Sequence, residues 1–115
     1  MILAVVGSRT FSDYKLLNET LTRFHQVNPI TEIVSGGARG ADSLAERWAN
    51  ENNIPVKVYP AEWEKYGRRA GMIRNRYIIS NSEYCFAFWD GFSHGTKNDI
   101  ELCHKFNIPC TIVRF

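Results

Sequence analysis

The segment Ser35-Gly36-Gly37-Ala38-Arg39-Gly40-Ala41-Asp42 joins a short apolar run to a helical pattern. Glycines at such a junction let the backbone approach a ligand closely and adopt positive φ. The helix that follows presents unpaired N–H groups and the positive end of its dipole. A phosphate would then be held by amides of Ser35, Gly36, Gly37 and Gly40, with the Arg39 guanidinium as a charged partner. The spacing is neither Walker A nor GxGxxG. The competing reading is a tight strand-to-helix turn that needs glycine for packing alone. Gly7-Ser8-Arg9 closes the first apolar run, where Arg9 can reach across to the same anion. Asp42 either orients Arg39 or favours the helix start.

A second Gly/Thr turn, Gly95-Thr96-Lys97, opens the last helical pattern, with Asp99 and Glu101 in its first turns. Thr96 serves there as an N-cap or as a phosphate ligand. Asp90, in an Asp-Gly step, is either a turn former or a carboxylate placed against a ribose or an anomeric carbon. His94 in the same loop is a weaker acid–base candidate. Lys65–Arg76 carries five of the 14 basic residues, and no acid follows Lys65 until Glu83. This is either a solvated helix face or an anion-binding wall. Trp63, Tyr66 and Tyr77 are close enough in sequence to stack a base. His94, Cys103 and His104 lack metal-ligand spacing, so no metal site is expected.

These residues need a scaffold, and the chain alternates five strand-like segments with four helical ones. Ile2–Val6 and Tyr84–Trp89 are continuously apolar, the profile of strands buried on both faces. Glu32–Ser35, Val56–Tyr59 and Cys110–Arg114 supply the other three. Helical spacing runs from Tyr14 to Phe24 with Ser12 as N-cap, then through Ala41–Ala49, Ala70–Ser80 and Thr96–Phe106. Glu62–Gly67 reads as irregular. Alternation of this kind predicts an α/β fold, a single Rossmann-like three-layer α/β/α domain over residues 1–115 with a five-stranded, mainly parallel sheet. With the two apolar strands central, the expected order is 3-2-1-4-5. The topological switch point then falls between strands one and four, where such sheets bind ligands.

With 115 residues, 44% apolar and 23% charged, the composition is that of one globular domain able to bury a core. A formal charge of +2 does not by itself predict polyanion binding. No apolar run nears the roughly 20 residues that span a bilayer, so no membrane partner is expected. The N-terminus lacks the pattern of a secretory signal. Cys85, Cys103 and Cys110 form no CxxC pair and read as small buried hydrophobes in a reducing cytoplasm.

Taken in order, Gly7-Ser8-Arg9, Ser35–Asp42, Tyr59-Pro60, Arg74-Asn75-Arg76 and Gly95-Thr96 resemble the SLOG superfamily of Rossmann-like nucleotide binders. That superfamily includes the DNA-processing protein DprA (Smf) and the LOG phosphoribohydrolases. The whole chain is most similar to the small YspA-like branch. Tyr59–Trp63, Gly71–Asn75 and Phe88–Gly91 followed by Gly95–Lys97 carry that likeness.

The resemblance implies a cytoplasmic, self-associating protein without a cofactor that binds a nucleotide or nucleotide-derived ligand as a sensor or sequestering protein. Gly36, Gly37, Arg39, Gly40, Gly95 and Thr96 would cradle phosphate, and Arg9, Arg74 and Asn75 would complete the polar wall. It also implies two alternatives. One is LOG-like hydrolysis of a nucleotide N-glycosidic bond, with Asp99 or Asp90 as the acid. Here the LOG Pro-Gly-Gly lead is absent, and Asp99 stands one methylene short of the family's glutamate. The other is a DprA-like single-stranded DNA module, without the helical domains that flank it in that family.

Overall fold

The computed structural model describes all 115 residues. Five strands form one all-parallel sheet: β1 (Ile2–Gly7), β2 (Glu32–Ser35), β3 (Val56–Val58), β4 (Tyr84–Trp89) and β5 (Cys110–Arg114). Their order is β3-β2-β1-β4-β5, as the apolar profile of β1 and β4 predicts. Between them run α1 (Tyr14–Val27), α2 (Ala41–Glu51), α3 (Trp63–Tyr66), α4 (Ala70–Ser80) and α5 (His94–Lys105).

The period of two along each central strand divides the core. Leu3 and Val5 of β1, with Phe86 and Phe88 of β4, face α1 and α2 and pack with Leu17, Leu21, Ala45 and Trp48. Ala4, Val6, Cys85 and Ala87 face the other way, against Ile78 and Ile79 of α4 and Leu102 and Cys103 of α5. Small residues on this second face let α4 and α5 lie close to the sheet. Trp48 is fully buried, and its indole N–H donates to Thr22 Oγ1 at 3.2 Å, so burial leaves no polar group unpaired.

Local chemistry moves three boundaries. Asp13, not Ser12, caps α1: its carboxylate accepts from the Leu16 amide at 3.0 Å. Ser93 caps α5, so that helix starts at His94 and Thr96 lies inside its first turn. The stretch expected to be irregular holds the single turn α3 and a 3₁₀ turn, Gly67–Arg69, which leads directly into α4. No helix is long and apolar enough to cross a membrane.

Candidate functional site

The carboxyl ends of β1 and β4 diverge at the switch point and open a cleft of about 410 Å³. Gly7, Ser8, Arg9 and Thr10 from the β1 loop form one side. Arg74 and Asn75 of α4 form another, and Asp90, Ser93, Gly95, Thr96 and Asp99 of the β4 loop and α5 close it. Ala38 and Asp42 enter from the start of α2. Ser35, Gly36, Gly37, Arg39 and Gly40 are not part of this lining.

Ser8 holds three of these loops together. Its amide donates to the Phe88 carbonyl at 2.9 Å, its hydroxyl accepts from the Asp90 amide at 3.3 Å, and its carbonyl accepts from Phe11 and Ala41. Gly40 packs onto that loop at φ +78°, and a Cβ there would sit 2.7 Å from Arg9 Cα. An L side chain is therefore excluded by both space and backbone angle.

The glycine-rich loop is organised around its own acceptors. The Gly37 amide donates to Ser35 Oγ at 3.2 Å, and the Ala38 amide to Asp42 Oδ2 at 3.1 Å. One of the amides expected to meet a phosphate, that of Gly37, is thus engaged inside the loop, as is the neighbouring Ala38 amide. Arg39 is exposed to solvent, and it is Arg74 that approaches Asp42. Arg74 donates through Nη1 to the Gly36 carbonyl at 2.7 Å and through Nε to Asn75 Oδ1 at 2.9 Å. Asn75 in turn donates to Asn98 Oδ1 at 3.3 Å. A Cβ on Gly36 would lie 2.9 Å from Asp42 Oδ2 and 3.0 Å from Arg74 Cζ. Glycine at 36 is what lets guanidinium and carboxylate meet over the loop.

The three acids of the cleft have different environments. Asp90 Oδ1 accepts from the Phe92 and Ser93 amides, both at 2.8 Å. Those bonds, Ser93 first, hold the carboxyl below its ordinary range, and they give Asp90 the geometry of an Asx turn. Asp42 is raised to about 6, chiefly because burial disfavours its charge, against the lowering effects of the Ala38 amide and Arg74. Asp99 is raised well above the ordinary value, first by burial and then by the charge of Asp42, while Arg74 opposes both. Asp99 is only 6% exposed, and its Oδ1 has no hydrogen-bond partner.

A second hollow of about 290 Å³ shares Arg74 with the cleft. Tyr59, Tyr66 and Tyr77 line it, with Lys65 and Ile73. The rings of Tyr59 and Tyr77 lie nearly parallel, 8° apart with centroids separated by 6.3 Å. Of the basic stretch, Arg68, Arg69 and Arg76 point to solvent. Trp63 is exposed and not part of this hollow. Thr10 and Ser93 are lining residues that sequence reasoning did not single out. A serine three residues before Thr96, at the start of a helical pattern, was the available signal for the second.

Residues 1–66 match the family described as YspA, cpYpsA-related SLOG. The gene 61 protein of Mycobacterium phage D29 is 33% identical over 112 residues, covering 91% of this chain and 90% of that protein. The chain belongs to the YspA-related SLOG family. Its fold is also that of DNA processing protein A. The Helicobacter pylori protein, whose structure is described for its single-stranded DNA binding mode, superposes with a TM-score of 0.75 at 20% identity. DprA from Streptococcus pneumoniae gives 0.79 at 18%. These matches cover 97% and 96% of this chain but 64% and 49% of the DprA chains. The SLOG chain thus spans about half to just under two thirds of the length of these DprA chains.

Proposed function

We propose that this SLOG protein binds a nucleotide or nucleotide-derived ligand in the switch-point cleft, with residues 1–115 acting as one nucleotide-binding unit. The observation that carries the reading is the buried, unpartnered Oδ1 of Asp99 in a cleft that also holds Asp42 and Arg74. An unsatisfied buried acceptor costs about 1–3 kcal/mol, and a ligand donor removes that cost. Paired carboxyls suit the hydroxyls of a ribose better than a phosphate. The anion is then met by Arg9 at the rim, Arg74 in the wall and the amino-terminal turn of α5 at Gly95 and Thr96. Tyr59, Tyr66 and Tyr77, next to Arg74, offer faces for a base. The loop Ser35–Gly40 acts in this scheme by positioning Asp42 and Arg74, with Arg39 outside the contact set. Family membership supports nucleotide recognition as the shared theme, and the role is that of a sensor or a sequestering protein.

Native mass spectrometry of the purified protein tests the binding role, followed by a nucleotide panel with Arg74→Gln as control. A co-purified nucleotide, or one that binds the native protein and not the variant, is the expected result. Failure of the whole panel to bind would overturn the reading.

One observation favours a second role. A carboxyl whose proton is held by burial suits a general acid, and burial and then the charge of Asp42 shift Asp99 in that direction. As an N-glycosidic hydrolase the protein would release free base, and Asp99→Asn would retain affinity while abolishing release. The single-stranded DNA binding named for the H. pylori neighbour is the competing ligand class. It requires affinity that rises with oligonucleotide length and falls steeply with salt. Self-association and a cytoplasmic location remain part of the proposal, the first to be checked by sedimentation and the second by fractionation.

A further inference from the structure

The cleft makes no use of three sulfur atoms gathered on the α4–α5 face of the sheet. The Sγ atoms of Cys85 on β4, Cys103 on α5 and Cys110 on β5 all lie within 4.8 Å of one another, and none is in a disulfide. Their sequence spacing gives no hint of this. Strand pairing sets Cys85 beside Cys110, and the packing of α5 adds Cys103. Of the three expected to be buried, Cys85 and Cys103 are buried and Cys110 is half-buried, and the three form one group.

We propose that Cys85, Cys103 and Cys110 form a binding site for a thiophilic ion held by three sulfur donors. The donor set decides the class. Three sulfurs without imidazole or carboxylate select soft ions over magnesium or calcium, and a closed tetrahedral zinc site requires a fourth ligand that the group does not contain. Bonds of about 2.3 Å, as in zinc–thiolate contacts, place three sulfurs roughly 4 Å apart around an ion in their plane and somewhat closer around a pyramidal centre such as arsenic(III), so the side chains close by about 1 Å or slightly more.

Charge narrows the choice. The core neighbours Ala4, Ile79, Ala87 and Leu102 are apolar, and the nearby charged group, the Asp99 carboxyl, has the same sign as a thiolate, so nothing there compensates an excess negative charge. Three thiolates leave two negative charges around a monovalent ion and none around a trivalent one. Arsenic(III) is therefore the most exacting probe. Arsenous acid reacts with three thiols to form three As–S bonds while three As–O bonds break. Three waters leave with the thiol protons, and no oxidant or reductant is consumed. Cys110 is the first nucleophile, because it alone of the three is half-buried and reachable from solvent. Cys103 follows Asp99 by four residues on α5, so an ion here also ties the cleft helix to β4 and β5.

The test is intact-mass measurement of the native, phosphine-reduced protein mixed with equimolar arsenite, alongside its Tm. The expected product is one adduct of a single arsenic less three hydrogens, with a higher Tm because the ion is bound by the folded state. Cys110→Ser should give at most an adduct that keeps one hydroxyl and has lost two hydrogens, held at least tenfold more weakly, while its circular dichroism matches the native protein. A two-sulfur adduct on the native protein would overturn the three-donor geometry. No adduct, or a lowered Tm, would overturn the site itself.

Discussion

Asp99 and Asp42 are the residues at which the fold is least favourable to itself. Both carboxyls are raised, so the folded state prefers them protonated. That contribution is complete below about pH 4 and is lost as pH rises, through about 6 for Asp42, with Asp99 shifted in the same direction. Asp90, held low by the Ser93 and Phe92 amides, contributes in the opposite sense: its stabilisation is present above the ordinary carboxylate range and is lost on acidification. Asp42→Asn keeps an acceptor for the Ala38 amide and removes the buried charge. It should therefore stabilise the ligand-free protein at pH 7.5 by on the order of 2–3 kcal/mol and leave it nearly unchanged at pH 4. Urea denaturation of both proteins at the two pH values measures this. Arg74→Gln should do the reverse near neutrality. It takes the opposing charge from both acids and a bond from the Gly36 carbonyl, so stability falls by about 1–3 kcal/mol and nucleotide affinity by tenfold or more.

At the scale of elements, the cleft depends on how two helices begin. α2 starts on a glycine loop whose amides are turned inward, and α5 starts on Ser93, whose hydroxyl accepts from the Thr96 amide. Ser93→Ala should cost about 1 kcal/mol and also loosen the first turn of α5. Gly36→Ala separates loop chemistry from simple turn packing. A methyl there meets Asp42 and Arg74, so affinity should fall more than tenfold while the circular dichroism stays native. Equilibrium binding of the two variants checks both statements.

The glycine motif was legible in the sequence because its residue types permit few conformations. The direction in which its amides point was not, since that is set by Ser35 Oγ and Asp42 Oδ2. Arg39 stands inside the motif, yet it is Arg74, arriving from another element, that bonds the Gly36 carbonyl and faces Asp42. Nor was α3 visible, because four residues do not complete a hydrophobic period.

For the whole molecule, strand order followed from which runs were apolar throughout. β1 and β4 must be covered on both faces, and that places them centrally. The sequence could not allocate its tryptophans: Trp48 is wholly buried, Trp63 is exposed, and Trp89 donates to the Ser93 carbonyl at the edge of the site. Trp48→Ala should accordingly cost about 3–5 kcal/mol in a denaturation experiment. Trp63→Ala should change stability by no more than roughly 0.5 kcal/mol. The two features that needed the fold to be seen are the meeting of Asp42 with Asp99 across the end of β1 and the gathering of three cysteines. Both join residues far apart in sequence that only the parallel sheet and the helices packed on it bring together.

The central claim is that one nucleotide-sized ligand satisfies the Asp99 carboxyl in the switch-point cleft. Calorimetric titration at pH 7 with a nucleotide panel, native protein against Asp99→Ala, tests it most directly. Saturation by a single nucleotide or dinucleotide at one site per chain is expected, with at least tenfold weaker binding to the variant. Equal affinity of both proteins for every ligand that binds, or binding only to oligonucleotides with affinity growing with length, would contradict it.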